Sequence, residues 1–310
     1  MNYLEAALNG KNAWWRYVVM IFAILIATNT IGSIPLLIPL FGKIASDPSV
    51  AARLSSNPTD FSVLGVDPFY GLFMMLFPFI AGLVAFALLV RPLHRRKFIS
   101  TINIKGRFRW NHFLISFLIW TALSVFYLFA YMKVEPENFI LSNTSITLLY
   151  ISLIAVAMIP FQAGLEELIF RGYLMQGFAT VVKNRWFPLI VTSLLFALMH
   201  SMNPEVKEYG FLTMMPQYLA FGLIFGIVAI MDNGIEAAIG AHAANNIFLV
   251  IMVTQESSAL PTPALYEQKI TYPWTEFSGL VICGIVFIFL MKMIFGWGEA
   301  KQISDSSDFS

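Results

Sequence analysis

Charge is scarce in this chain. Asp, Glu, Lys and Arg make up 12% of its 310 residues, against 58% hydrophobic ones. Soluble domains carry about 25% charged residues, so the balance excludes an ordinary soluble globule and reads as an integral membrane protein. The net charge is only +1 and the basic residues are local, which leaves no nucleic-acid footprint. Cysteine is nearly absent. The single Cys283 lies in an apolar run, cannot close an internal disulfide, and offers neither a redox pair nor a metal cluster. It reads as filler facing lipid or core. A cleavable signal peptide is also missing: the first apolar run, Tyr17 to Phe41, exceeds the roughly 7–15 residues of an h-region, and no small-residue cleavage site follows it.

What is plentiful is long apolar sequence. Runs near the length of a bilayer crossing occur at Tyr17–Phe41, Phe69–Val90, Phe113–Met132, Ile146–Phe178, Trp186–Ser201, Pro216–Met231, Ile235–Val253 and Phe277–Phe295. They predict an all-α fold, a polytopic transmembrane helical bundle of about eight spans around a polar intramembrane cavity. The fourth run is too long for one perpendicular crossing and must tilt, kink near Pro160, or protrude. The fifth is short. No internal repeat or separate soluble domain stands out. Gly222 and Gly226 in GLIFG form a small-residue pattern that lets two helices approach closely, a matter of packing.

Loop charges orient the set. Arg91, Arg95, Arg96, Lys97, Lys105, Arg107 and Arg109 lie between the second and third runs with no acidic residue among them, which places that loop in the cytoplasm. Alternation puts both termini and the loop with Lys183 and Arg185 on the same side. The opposite loops carry Glu135 and Glu137, then Glu205, Lys207 and Glu208, then Glu256, Glu267 and Lys269. The expectation is a multi-pass cell-membrane protein with cytoplasmic termini. Anionic lipid head groups could meet the basic loop, but setting topology accounts for it. The polar tail after Trp297 reads as disordered.

Chemistry concentrates in three apolar runs. EELIFR places Glu166, Glu167 and Arg171 inside one of them. Each ionised side chain at mid-bilayer costs about 2.5–3.5 kcal/mol on insertion scales, which marks a working site. Glu167 and Arg171 are four apart, share a helix face and can pair. Glu166 points about 140° away from Arg171 and is free to face a cavity, where a carboxylate can act as general base on water. FALMH puts Phe196 and His200 on one face, and HAANN does the same for His242 and Asn246. The other two histidines, His94 and His112, are near loops and carry no special signal. A lone histidine in a span is usually a satisfied structural group; Glu166, His200, His242 and Asn246 together in one bundle reverse that preference. At about 1.5 Å per residue, Glu166 lies about 25 Å along its helix, His200 about 21 Å and His242 about 15 Å, so convergence needs a tilt or bend of the third.

These three motifs resemble the CAAX-protease and bacteriocin-processing (CPBP) family of intramembrane glutamic endopeptidases, also called the ABI family, which includes the type II CAAX prenyl endopeptidases. The family pattern is EExxxR, then FxxxH, then HxxxN or HxxxD, and all three are intact here, in order. The resemblance covers roughly Ile146 to Val253. It implies residues 146–253 as a catalytic core, 1–145 as N-terminal helices with the basic loop, and 254–310 as the last loop, final helix and tail. It also implies a membrane peptidase in which Glu166 and His200 activate water, and His242 and Asn246 stabilise the oxyanion. Glu167, Arg171 and Phe196 would support the site. The family was long read as metal-dependent, and two histidines with a glutamate can ligate zinc. The spacing is not HExxH, however, and Asn is a poor zinc ligand, so metal-free catalysis without a cofactor is the expectation. The implied partners are membrane lipid and a peptide or lipidated-peptide substrate, either prenylated CAAX-like or of bacteriocin type.

The residues alone also fit a proton-coupled transporter, although paired, similarly interrupted halves are missing. A non-catalytic immunity or scaffold protein keeping the fold is the other alternative.

Overall fold

The computed structural model describes residues 3–56, 61–182, 184–255 and 257–297. Lys183, Glu256 and the tail from residue 298 lie outside them. The architecture is a polytopic bundle of helices. The first span is broken into α1 (Trp14–Asn29) and α2 (Ile34–Ile44). Then come α3 (Pro68–His94), α4 (Trp110–Val134) and α5 (Ile146–Glu167), which runs into a π-helical segment, Leu168–Leu174, and the short α6 (Met175–Ala179). The rest are α7 (Trp186–Met199), α8 (Pro204–Tyr209), α9 (Phe211–Asp232), α10 (Glu236–Met252) and α11 (Pro273–Phe295).

The termini of these helices follow from local chemistry. Proline opens α3, α8 and α11 near the first helical position, where its missing N–H costs nothing. At the far ends Arg95, Asn233 and Gly296 take left-handed backbone and stop α3, α9 and α11. Pro160 lies within α5 without ending it. The adjustment in that long run falls later, at the π segment, where one extra residue per turn is accommodated.

The expected eight spans resolve into six helices long and apolar enough to cross a membrane and two shorter apolar ones, Trp186–Met199 and Glu236–Met252. Burial separates those two. Eleven residues of α10 are buried, most of them Ala or Gly, so this helix threads the middle of the bundle. A side chain at Gly240 would collide with Ser116 and the backbone of Phe113, which shows how closely α10 and α4 approach. The outer face is apolar: Phe22, Ile26, Leu88, Leu118, Phe126, Ile282 and Phe289 are all exposed. Such a surface requires lipid around it, and the chain is a multi-pass membrane protein.

Small elements close the two ends. At the acidic end, β1 (Phe139–Leu141) pairs antiparallel with β3 (Tyr266–Gln268), and β2 (Val253–Thr254) pairs parallel with it. At the basic end some of the loop cations are buried. Arg96 is 4% exposed, and Arg109 donates to both Asp232 (2.8 Å) and Glu236 (2.6 Å) at the junction of α9 and α10. His112 contacts Asp232 at 2.7 Å and stacks on Phe295, so it is a structural residue. His94 is fully buried. Its Nδ1–H donates to the Lys11 carbonyl (2.7 Å), which leaves Nε2 to accept from the Tyr173 hydroxyl at 2.6 Å. Tyr3 plugs the same end, donating its hydroxyl to the Arg171 carbonyl at 3.0 Å.

Candidate active site

Glu166 and Glu167 end α5, one turn before the centre of the π segment, and both are buried, at 5% and 0% exposure. Their adjacent positions aim them apart, as the helical geometry requires. Glu167 turns toward Arg171. The guanidinium is wholly buried, with Nη1 2.9 Å from Glu167 Oε1 and Nη2 donating to the Gly222 carbonyl at 3.1 Å. It also lies over the Phe196 ring at 4.4 Å, a desolvated cation–π contact. The same Oε1 of Glu167 accepts from His242 Nδ1 at 2.8 Å. One carboxylate therefore neutralises the arginine and orients an imidazole.

Glu166 faces the other way. Its Oε2 lies 3.8 Å from His200 Nε2 and 3.8 Å from His242 Nε2, so three helices meet at one carboxylate oxygen. That oxygen is buried and takes no hydrogen bond from any described residue. Both imidazoles have their tautomer set from behind. His242 gives its Nδ1–H to Glu167, and His200 gives its own to the Phe196 carbonyl at 2.8 Å. In each neutral ring Nε2 is then the free nitrogen, and each faces Glu166.

Asn246 joins through a residue that sequence reasoning missed. Its amide donates to Gln162 Oε1 at 3.4 Å, and Gln162 Nε2 donates to Glu166 Oε1 at 3.4 Å. Gln162 precedes Glu166 by four and so shares its face, a signal present in the sequence. Behind Asn246, Asn245 donates to it at 3.1 Å, and Trp120 Nε1 donates to Asn245 at 3.3 Å. The candidate set Glu166, His200, His242 and Asn246 is thus brought together, with Glu167, Arg171 and Phe196 immediately behind it.

Close approach of the helices makes this geometry possible. A Cβ on Gly222 would lie 2.9 Å from Ser193 Cα, so α9 contacts α7 at backbone distance, and the Gly222 carbonyl is held where Arg171 reaches it. An open cavity of about 490 Å³ sits elsewhere, lined by Tyr127, Tyr131, Glu135 and Tyr272. Among the described residues no group of three or more His, Cys, Asp or Glu side chains is arranged to hold a metal ion.

Residues 144–248 match the family described as Type II CAAX prenyl endopeptidase Rce1-like. That segment is similar to the Rce1-like family. All four converging residues and all three supporting ones lie within the matched Rce1-like segment. The chain is also 26% identical over 304 residues to YyaK of Bacillus subtilis (strain 168), an uncharacterized protein, across 97% of this chain and 99% of that one. No solved structure matches the chain. The Rce1-like segment supports a CAAX-type intramembrane endopeptidase, a peptide hydrolase of the membrane.

Proposed function

We propose that this protein hydrolyses a peptide bond in a membrane-associated, CAAX-like or bacteriocin-type substrate, with Glu166 as the base. The observation that carries the reading is the meeting of Glu166 Oε2 with two imidazole Nε2 atoms at 3.8 Å each, inside the bundle. A water hydrogen-bonded to Oε2 is within reach of both rings. Glu166, aided by His200, takes a proton from that water as its oxygen attacks the peptide carbonyl carbon. General-base catalysis of this kind is worth roughly 10²–10⁴-fold. Negative charge then builds on the carbonyl oxygen. The Asn246 amide supplies one N–H to it, and His242 Nε2 supplies a second when it carries a proton. Each such donor is worth roughly 10²–10³-fold. The C–N bond breaks and the proton passes to the departing amine. Glu167, Arg171 and Phe196 hold the shape. In this reading the basic segment and both termini face the cytoplasm, residues 146–253 form the catalytic core, and no cofactor is needed.

The test compares new peptide termini in membranes containing the parent protein or the Glu166→Ala form. Products that depend on Glu166, and equally on His200 in a His200→Ala form, are expected. The purified parent should keep its activity in chelator. Cleavage by Glu166→Ala at the parent's rate would end the assignment.

A further inference from the structure

His200 stands where a helix frays. It is the residue after α7, it is 18% exposed, and the chain turns immediately, with the Asn203 N–H donating to the His200 carbonyl at 3.1 Å. Terminal turns are the least constrained part of a helix, yet this ring must present Nε2 to Glu166. Two aromatic rings hold it. Phe196 lies 4.6 Å away on one side, and Tyr218 of α9 stacks on it at 4.5 Å with only 19° between the planes. Tyr218 is itself tied down. Its hydroxyl donates to Glu205 Oε1 in a very short contact and accepts from the Asn203 side chain at 2.9 Å, and that side chain also donates to Glu205 at 3.3 Å. Glu205 is 7% exposed, and its second oxygen has no hydrogen-bond partner among the described residues. A carboxylate buried and only half satisfied costs stability, so its place here needs a reason.

We infer that Glu205 and Asn203 act through Tyr218 as positioning residues that clamp the His200 ring in line with Glu166. None of the three is in reach of the reacting atoms by any contact described; their effect is on ring orientation. The inference rests on the peptidase reading for its consequence but not for its geometry. In catalysis, a misplacement of about 1 Å at the base can cost on the order of 10²-fold.

The test uses the full-length protein in detergent and two readouts. Glu205→Ala and Tyr218→Phe are each expected to lower kcat by about 10- to 100-fold with KM unchanged. The double variant should be no worse than either single one, because both break the same chain of contacts. Glu205→Gln should restore most of the rate, since an amide oxygen still accepts the tyrosine hydroxyl. The second readout is diethyl pyrocarbonate labelling of His200, followed by mass spectrometry. Glu205→Ala and Tyr218→Phe should lose protection there, while Glu166→Ala keeps it. Losses that multiply in the double variant, a fall in thermal stability with kcat unchanged, or unaltered labelling of His200 would overturn the clamp. Cleavage that survives Glu166→Ala removes the peptidase reading instead, and the labelling still decides the clamp.

Discussion

Two neighbouring glutamates should respond to deletion in opposite ways. Glu167→Ala leaves the Arg171 cation fully buried without its ion-pair partner at 2.9 Å, the Gly222 carbonyl and the Phe196 ring remaining against it. Breaking a buried pair by removing one partner costs about 3–5 kcal/mol. That is a large part of the roughly 5–15 kcal/mol that holds a typical domain together. His242 loses its acceptor in the same step, so activity falls with stability. Glu166→Ala removes a carboxylate whose Oε1 makes one long 3.4 Å contact and whose Oε2 has no hydrogen-bond partner among the described residues. The lost hydrogen bond is worth about 0.5–1.5 kcal/mol, and relief of a buried unsatisfied acceptor returns about 1–3 kcal/mol. The net change should lie between a loss of about 0.5 and a gain of about 2.5 kcal/mol while cleavage disappears. Unfolding of both variants by sodium dodecyl sulfate in mixed micelles, followed by tryptophan fluorescence, measures the difference. Equal losses for the two variants, or a Glu167→Ala protein as stable as the parent, would refute the division of labour between the two carboxylates.

Two further outcomes are expected from the same unfolding measurement. Gly222→Ala drives a methyl group against the Ser193 backbone and should destabilise by about 1–3 kcal/mol. The variant should also lose activity, because the carbonyl that Arg171 uses moves with the helix. Arg109→Met takes the guanidinium from two carboxylates whose side chains are 1% and 0% exposed, leaving Asp232 with His112 and Trp297, and should cost about 3–5 kcal/mol. Arg109→Lys should recover only part of that, because a single ammonium cannot reproduce the fork.

Much of the site was legible because helix periodicity is a local rule. Four-residue spacing alone pairs Glu167 with Arg171 and turns Glu166 the other way, and the structure holds both arrangements. Gln162 was equally readable, four residues before Glu166, but a neutral amide in an apolar run attracts less notice than a charge. Other features depend on which helices become neighbours, and no spacing encodes that. Glu205 sits in sequence beside Lys207 and Glu208 and reads as one more solvated loop charge. Only the packing of α8 against α9 places it on Tyr218. His94 and Arg109 likewise find their partners 79 and 127 residues away. The π segment, which begins directly after Glu167, changes the winding of a long run for which the sequence suggested only a tilt, a kink near Pro160 or a protrusion. The eight spans were counted from apolar content, which does not distinguish a helix bathed in lipid from one such as α10 that is wrapped in protein.

Helix α7 has 14 residues, a rise of about 21 Å, whereas the hydrocarbon layer is about 30 Å deep. Unlike α10 it carries an exposed apolar face, including Ile190, Leu194 and Leu198. Bilayer beside it must pinch inward or admit solvent to meet its end. In the peptidase reading, either response brings water toward His200, the reagent that hydrolysis consumes.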